Sequence, residues 1–323
     1  LKPPHIEAMY HDKVATILEN INKVIIGKQE TALLSIMALL AGGHVLLEDV
    51  PGVGKTMLVR SIAKSFGTDF KRIQFTPDLL PSDITGASIY NAKENDFEFR
   101  PGPLMAHIVL ADEINRTSPK TQAALLEAME EQSVTVDSVT RQLPRPFFVM
   151  ATQNPIDFEG TYPLPEAQLD RFLIKINMGY PEAEDEYVML SRMEKKDPIQ
   201  ELTEVLTVEE LVQLQMVAKQ VHVNEEVKRY IVNLVRATRE HTDVELGVSP
   251  RGSIALMQAA QAYALIVQRE YVLPDDVQYL APFVLSHRIL LTPEAQFTNV
   301  TAVKLVNELL QKVEVPIVRR RTL

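Results

Sequence analysis

Leu46-Leu47-Glu48-Asp49-Val50-Pro51-Gly52-Val53-Gly54-Lys55-Thr56 reads as the end of a buried strand, a tight Gly/Pro loop and the first turn of a helix. A loop of this kind wraps backbone N–H groups around the phosphates of a nucleotide. Its lysine adds a point charge at the outer phosphates, and its threonine hydroxyl ligates Mg²⁺. The helix that follows offers its free N–H groups and positive dipole end to the same phosphates. One residue departs from the usual G-x-x-x-x-G-K-[ST] spacing: Asp49 stands at the first glycine position. Gly52 and Gly54 still supply permissive backbone. The context favours a phosphate loop over a surface Gly-Pro turn. His44–Glu48 is a short apolar strand before it, and Met57, Leu58, Ile62 and Ala63 give the next helix an apolar face.

The chain has 323 residues, more than one compact core normally holds, which suggests two domains. A formal net charge of −10 disfavours broad nucleic-acid binding, which needs a basic face. There are no cysteines, which excludes disulfides, thiolate catalysis and cysteine-zinc sites. The seven histidines are scattered, so a histidine metal site is not expected. The longest apolar run, Ala32 to Ala41, is about half of a membrane span. With no signal-peptide pattern at its start, the chain is expected to be cytoplasmic.

Val14, Ile17, Leu18 and Ile21 follow helical spacing, and Gln29 to Ala41 forms a second, buried helix ended by Gly42-Gly43. After the helix of about Lys55–Phe66 comes a strand at Phe70–Phe75, alternating Phe70, Arg72 and Gln74 against Lys71, Ile73 and Phe75. Ala87–Asn91 and Phe97–Arg100 read as a hairpin. His107–Ala111 is a buried strand running into Asp112-Glu113. Ser118 caps a helix that runs to about Gln132. Ser133–Val136 and Val139–Leu143 form a second hairpin; Phe147–Thr152 and Leu173–Met178 complete the strands. From Pro181 onward no convincing strand appears, and helices are expected near 182–194, 207–219, 224–240, 251–269, 274–285 and 299–313. The alternation up to about residue 180 predicts an α/β fold, a parallel sheet flanked by helices, with an all-α domain at 181–323.

Ligands of open α/β sheets bind at the carboxyl ends of strands. Three strand ends here carry polar residues. One is the phosphate loop after Glu48. The second is Asp112-Glu113, where the aspartate can hold Mg²⁺ through water and the glutamate can take a proton from an attacking water; in isolation the pair would only solvate a strand end. The third is Asn154, able to orient that water, or simply part of an Asn-Pro turn.

Gly54-Lys55-Thr56, Ala111-Asp112-Glu113-Ile114-Asn115-Arg116, Ala151-Thr152-Gln153-Asn154-Pro155 and Leu169-Asp170-Arg171-Phe172 resemble Walker A, Walker B, sensor 1 and the arginine-finger box of an AAA+ ATPase. Ser249-Pro250-Arg251 resembles sensor 2. The phrases Leu46–Thr56 and Gly160–Phe172 are similar to the MoxR family, in which Asp49 is the expected residue. The resemblance covers about Val24 to Leu290. It implies a P-loop core at 1–180 with hairpin inserts near 87–100 and 133–143, and a helical lid at 181–323.

It further implies Mg²⁺-dependent ATP hydrolysis. Asp49, Val50, Pro51, Gly52, Val53, Gly54, Lys55, Thr56 and Met57 would bind the nucleotide. Thr56 and Asp112 would hold the metal, Glu113 would activate water and Asn154 would orient it. Arg171 would reach the γ-phosphate of a neighbouring subunit's ATP; the alternative for it is an ion pair with Asp170 or another acid. Arg116 is a second interface candidate. Arg251, in the first turn of its helix, opposes the helix dipole unless an anion faces it; the resemblance makes that anion the chain's own nucleotide. Ile25-Ile26-Gly27 would line the adenine pocket, or be a helix stop packed on the core. The tail Val318-Arg319-Arg320-Arg321 reads as a solvated end.

The implied assembly is a homo-oligomeric ring, a hexamer, and the implied work is chaperone-like remodelling of client proteins or insertion of cofactors into them. Such clients often bear von Willebrand factor A domains. Three other readings share parts of this pattern: a nucleic-acid motor or loader, a chelatase-type subunit and a P-loop small-molecule kinase.

Overall fold

The computed structural model describes residues 6–48, 54–155, 160–194 and 197–317. The loop body Asp49–Val53 and the basic tail lie outside these. The chain opens with α1 (Ala8–Asn22) and α2 (Gln29–Leu40), then β1 (Val45–Glu48) and α3 (Lys55–Ser65). Next come β2 (Phe70–Gln74), α4 (Pro81–Thr85), the hairpin β3 (Gly86–Asn91) and β4 (Asp96–Pro101), and β5 (Ile108–Asp112). A 3-10 turn at Ile114–Arg116 leads to α5 (Pro119–Glu131), the hairpin β6 (Ser133–Val136) and β7 (Val139–Gln142), β8 (Phe148–Gln153), α6 (Glu166–Leu169) and β9 (Ile174–Asn177).

The remainder is mostly helical: α7 (Ala183–Met193), α8 (Val208–Ala218), α9 (Glu225–Glu240), α10 (Pro250–Ile266), α11 (Pro274–Leu285), α12 (Pro293–Phe297) and α13 (Ala302–Lys312). The expectation of no strand after Pro181 is corrected by β10 (Val244–Leu246) and β11 (Leu290–Leu291), which pair antiparallel. Their two- and three-residue length leaves no alternation to read. The short α4, α6 and α12 escaped for the same reason: none completes two turns.

The five-stranded sheet has the order β2-β5-β8-β1-β9, and every pairing is parallel. Alternate residues of each strand enter different apolar layers, as the two-residue period requires. Val45, Leu47, Ile108, Leu110, Phe148 and Met150 pack with α1, α2 and α3 on one face. Leu46, Val109, Ala111, Val149 and Ala151 pack with Leu125, Leu126 and Met129 of α5 on the other. Burial on both faces explains why these strands read as continuous apolar runs.

The first layer does not stop at the sheet. It continues through Leu211 and Leu214 of α8 and Leu256, Ala259 and Ala260 of α10, so α1 and α2 share one core with the C-terminal helices. That explains the near-continuous hydrophobicity of α2, whose residues from Leu34 to Leu40 are all buried.

Two histidines are built into this core as neutral groups. His44 is 5% exposed. Its Nδ1 accepts from the Val149 N–H at 3.0 Å, leaving Nε2–H to donate to the Met129 carbonyl. Burial, partly offset by the Met129 bond, pulls its pKa down to about 4. His287 lies well below its ordinary value through burial and the neighbouring Arg288 charge. A histidine with a depressed folded pKa gives stability that is full above about pH 6.5 and is lost as pH falls toward the folded value.

From pH 7 to pH 5, His44 alone is therefore expected to withdraw about 2 kcal/mol of stability. His44→Asn keeps an acceptor for the Val149 N–H and removes the titration. In urea unfolding it should lose stability less steeply over this interval than wild type. Equal slopes would contradict the assignment of His44 as a buried neutral group.

Candidate nucleotide site

The carboxyl ends of β5, β8 and β1 are adjacent in the sheet, and α3 starts beside them. Gly54 precedes α3 with φ 88°, a left-handed conformation that glycine adopts without steric cost, and Lys55 is the first helical residue. Among the described residues nothing lies within 4 Å of where a Gly54 Cβ would stand. Lys55 Nζ lies 2.9 Å from Asp112 Oδ1. Asp112 ends β5 and is 1% exposed.

The Asp112 carboxylate is held by three elements at once. Thr152 Oγ1, near the end of β8, donates to Oδ1 at 2.8 Å. Arg72 on β2 places NH2 2.6 Å from Oδ2. Burial on its own would raise the pKa; the bonds from Lys55, Arg72 and Thr152 and the Lys55 charge outweigh it and hold the carboxyl below its ordinary value. Asp112 is thus an anion at neutral pH.

Glu113 follows with φ 59° and ψ 52°, uncommon for a residue with a side chain. This backbone is pinned by its N–H donating to Thr152 Oγ1 at 2.9 Å. Its carboxylate is 3.4 Å from Arg116 Nε, which places Arg116 beside Glu113. Asn154 is tied down by Asn115, whose side chain accepts from the Asn154 N–H at 3.2 Å and donates to its carbonyl at 3.1 Å. Thr56 is the second residue of α3.

Beside the start of α3 lies a cavity of about 290 Å³, near the lower size limit of small-molecule sites. Ile25 and Ile26 line it, with Gly54, Met57, Leu58 and Met178, while Gly27 is not among its lining residues. Its far wall is α7, through Met189 and Met193. Gly27 (φ 67°) admits α7: a Cβ there would lie 2.2 Å from Asp185 Oδ2. The walls are almost wholly apolar, suited to the faces of a base rather than to phosphates.

Arg171 and Arg251 form a second cluster. Arg171 NH1 is 2.9 Å from Glu130 Oε2, and Arg251 NH2 binds the other oxygen of the same carboxylate. Arg251 NH1 is also 3.7 Å from Asp170 Oδ2. The hydrogen bond from Arg251, and then the two arginine charges, hold Glu130 below its ordinary pKa against burial. The acid paired with Arg171 is Glu130. Asp170 is taken by Arg288, whose Nε lies 2.6 Å away and whose NH2 donates to the Asp170 and Phe172 carbonyls at 3.0 and 2.9 Å. The anion facing Arg251 in the first turn of α10 is likewise Glu130. The Ser118 and Ser249 side chains make no capping bond, although both stand at N-cap positions.

Thr152, Arg72, Glu130 and Arg288 are the residues that sequence reasoning missed. Thr152 had a signal, a hydroxyl near the end of an otherwise apolar strand. The other three are charges whose partners lie on other elements.

Residues 44–174 match the family described as "ATPase family associated with various cellular activities (AAA)", and residues 236–309 match the AAA lid domain. The chain is 42% identical over 320 residues to Chaperone MoxR1 of Mycobacterium tuberculosis, covering 96% of this chain and 84% of that one. It belongs to the MoxR family of AAA+ ATPases. It is also 63% identical over 309 residues to the uncharacterized protein YeaC of Bacillus subtilis, across 96% of this chain and 97% of that protein. Protein MoxR of Paracoccus denitrificans is 33% identical over 297 residues, covering 84% and 87% of the two chains. A crystal structure from Cytophaga hutchinsonii superposes with a TM-score of 0.90 at 38% identity, over 96% of this chain and 97% of that one. The fold is accordingly the P-loop α/β fold of AAA+ proteins followed by a helical lid.

Thr152 serves Asp112 and Glu113 with one hydroxyl. Thr152→Val keeps the shape, leaves the Glu113 N–H unpaired and takes a donor from Asp112. A stability loss of about 1–3 kcal/mol in urea unfolding is expected, with Thr152→Ser recovering most of it. A loss below about 0.3 kcal/mol would contradict the shared role.

Proposed function

We propose that this chain hydrolyses ATP with Mg²⁺ as part of a homo-oligomeric ring and spends that energy remodelling partner proteins. The observation that carries the reading is the meeting of Lys55, Asp112 and Thr152 at the carboxyl ends of the central strands beside an apolar cavity lined by Ile26 and Met57. Family membership and the relative named Chaperone MoxR1 support it.

In this reading residues 1–180 form the nucleotide-binding unit, with the lid at 181–323. The base enters the cavity, and the loop Asp49–Val53 with Gly54, Lys55 and Thr56 receives the phosphates. Lys55 then exchanges the Asp112 carboxylate for phosphate oxygens, which carry more charge. The donor set fits a magnesium ion: a buried anionic Asp112, the Thr56 hydroxyl and the substrate phosphates make a typical sparse protein share. Among the described residues no cluster of three or more carboxylate or histidine ligands competes as a metal site. When bound, the ion neutralises charge on the transferred phosphoryl group.

Glu113 accepts the proton of the attacking water. Its pinned backbone fixes where the carboxylate starts, and Arg116 is placed to steady it. Asn154, locked at its backbone by Asn115, orients the same water through its amide.

Arg171 acts on the γ-phosphate of the neighbouring subunit, a contribution of about 10³–10⁵ in rate in related NTPases. A shared partner, Glu130, favours Arg251 serving the same anion as Arg171 rather than the chain's own nucleotide. Client proteins, including those with von Willebrand factor A domains, would meet the exposed apolar surface of the β3–β4 hairpin, where Tyr90 and Phe97 pack edge to face.

The test separates binding from turnover and one subunit from the next. Lys55→Ala should lose ATP binding in a titration, Glu113→Gln should bind but release no phosphate, and Arg171→Ala should bind yet be inactive. Mixing co-assembled Lys55→Ala and Arg171→Ala subunits should restore part of the activity, because some interfaces then join an intact arginine to an intact site. Tight ATP binding by Lys55→Ala would overturn the phosphate-loop reading. No recovery in proven mixed assemblies would overturn the role of Arg171 across the interface.

A further inference from the structure

Arg72 has no part in the chemistry above, yet it touches the residue on which that chemistry depends. On β2, Arg72 lies on the same sheet face as Phe70, which packs into the layer of α3. The parallel register sets Arg72 beside Leu110 and Gln74 beside Asp112. The guanidinium leans one step along the strand, and its NH2 reaches Asp112 Oδ2 at 2.6 Å. The same nitrogen donates to Gln74 Oε1 at 3.3 Å. Its side chain is 49% exposed, whereas the Asp112 side chain is 2% exposed.

The acceptor capacity of Asp112 is nearly used up. A carboxylate oxygen offers about two lone-pair sites. Oδ1 receives Lys55 and Thr152, and Oδ2 receives Arg72. A hydrated divalent cation held through Asp112 needs this carboxylate too, and it is repelled by any cation that stays there. Lys55 has phosphates to move to. Arginine cannot yield by losing its proton; it can only move, and half of its side chain is already in water with Gln74 as a second acceptor.

We propose that Arg72 is the resident counter-cation of Asp112: it occupies Oδ2 while no metal is held, shifts toward Gln74 and solvent when one binds, and thereby sets the divalent-cation concentration at which the nucleotide site fills. This rests on the reading of Asp112 as the metal-side carboxylate. The site would accept a hydrated Mg²⁺ or Mn²⁺ accompanying a nucleotide. Arg72 is a positioning residue here, acting through Asp112 and not on the phosphates.

The experiment uses Mn²⁺ as the probe, titrated into the full chain saturated with ADP and read by electron paramagnetic resonance. Arg72→Gln should bind Mn²⁺ about two- to fivefold more tightly than wild type, the range of one partly exposed ion pair. Gln74→Ala, which removes the second acceptor, should weaken Mn²⁺ binding. Asp112→Asn should weaken it strongly.

Thermal unfolding gives a second readout. In EDTA without nucleotide, Arg72→Gln should melt below wild type, and saturating Mn²⁺ with ADP should narrow the gap through its tighter binding. Equal or weaker Mn²⁺ binding by Arg72→Gln, with an undiminished melting gap, would make Arg72 a plain structural strut and overturn the inference while leaving Asp112 in place. Unchanged binding by Asp112→Asn would instead overturn the reading of Asp112 itself. Should Arg72→Gln not fold, Gln74→Ala carries the decision: unchanged or tighter Mn²⁺ binding there would overturn the proposal.

Discussion

A carboxylate taken out of water has to be met by cations and donors, or it takes up a proton. Asp112 is 1% exposed and remains an anion because Lys55, Arg72 and Thr152 converge on it. Those residues come from α3, β2 and β8, so the convergence exists only when β5 lies between β2 and β8 and α3 starts beside β1. The order of the strands and the electrostatics of the site are therefore one constraint. In the proposed function, the carboxylate that would face a metal is held charged by the lysine that would face phosphates. On that reading, filling the site would exchange partners and leave no buried charge bare.

A second polar network ties the C-terminal helices to the sheet end. Glu130 and Asp170 carry two negative charges against the three positive charges of Arg171, Arg251 and Arg288, a surplus of one positive charge. Arg288 is 7% exposed and bonds the carbonyls of Asp170, Phe172 and Leu173, fixing the segment that carries Arg171. Burying a guanidinium is tolerable only with this many acceptors around it. Arg171 and Arg251 are less deeply buried and are the ones left facing a common carboxylate, an arrangement that suits phosphate equally well.

Much of the fold was legible because burial on both faces leaves unbroken apolar runs. His44–Glu48, His107–Ala111 and Phe147–Thr152 each became a central strand within a residue or so at either end. The polar residues ending those runs, Asp112 and the loop leading to Lys55, were legible for the same reason: a charge directly after an apolar strand marks where the buried sheet meets water or a ligand. What could not be read was pairing across elements. The alternation of Phe70, Arg72 and Gln74 gives two faces to β2 but not the register that sets Gln74 beside Asp112 and brings the Arg72 guanidinium within reach of its carboxylate. Glu130 reads as one of several acids near the end of an amphipathic helix, and only the folded chain shows it between two arginines. Likewise the apolarity of α2 announced burial without naming α8 and α10 as its cover.

The dependence of the site on Asp112 is measured most directly by a double-mutant cycle in the nucleotide-free protein, with Lys55→Gln, Asp112→Asn and the double variant followed by urea unfolding. The account predicts a coupling of about 1.5 kcal/mol or more, as for a close and largely desolvated charge pair. Additivity within about 0.3 kcal/mol would mean that the two residues do not sense each other, and the charge exchange on which the proposed site is built would be contradicted.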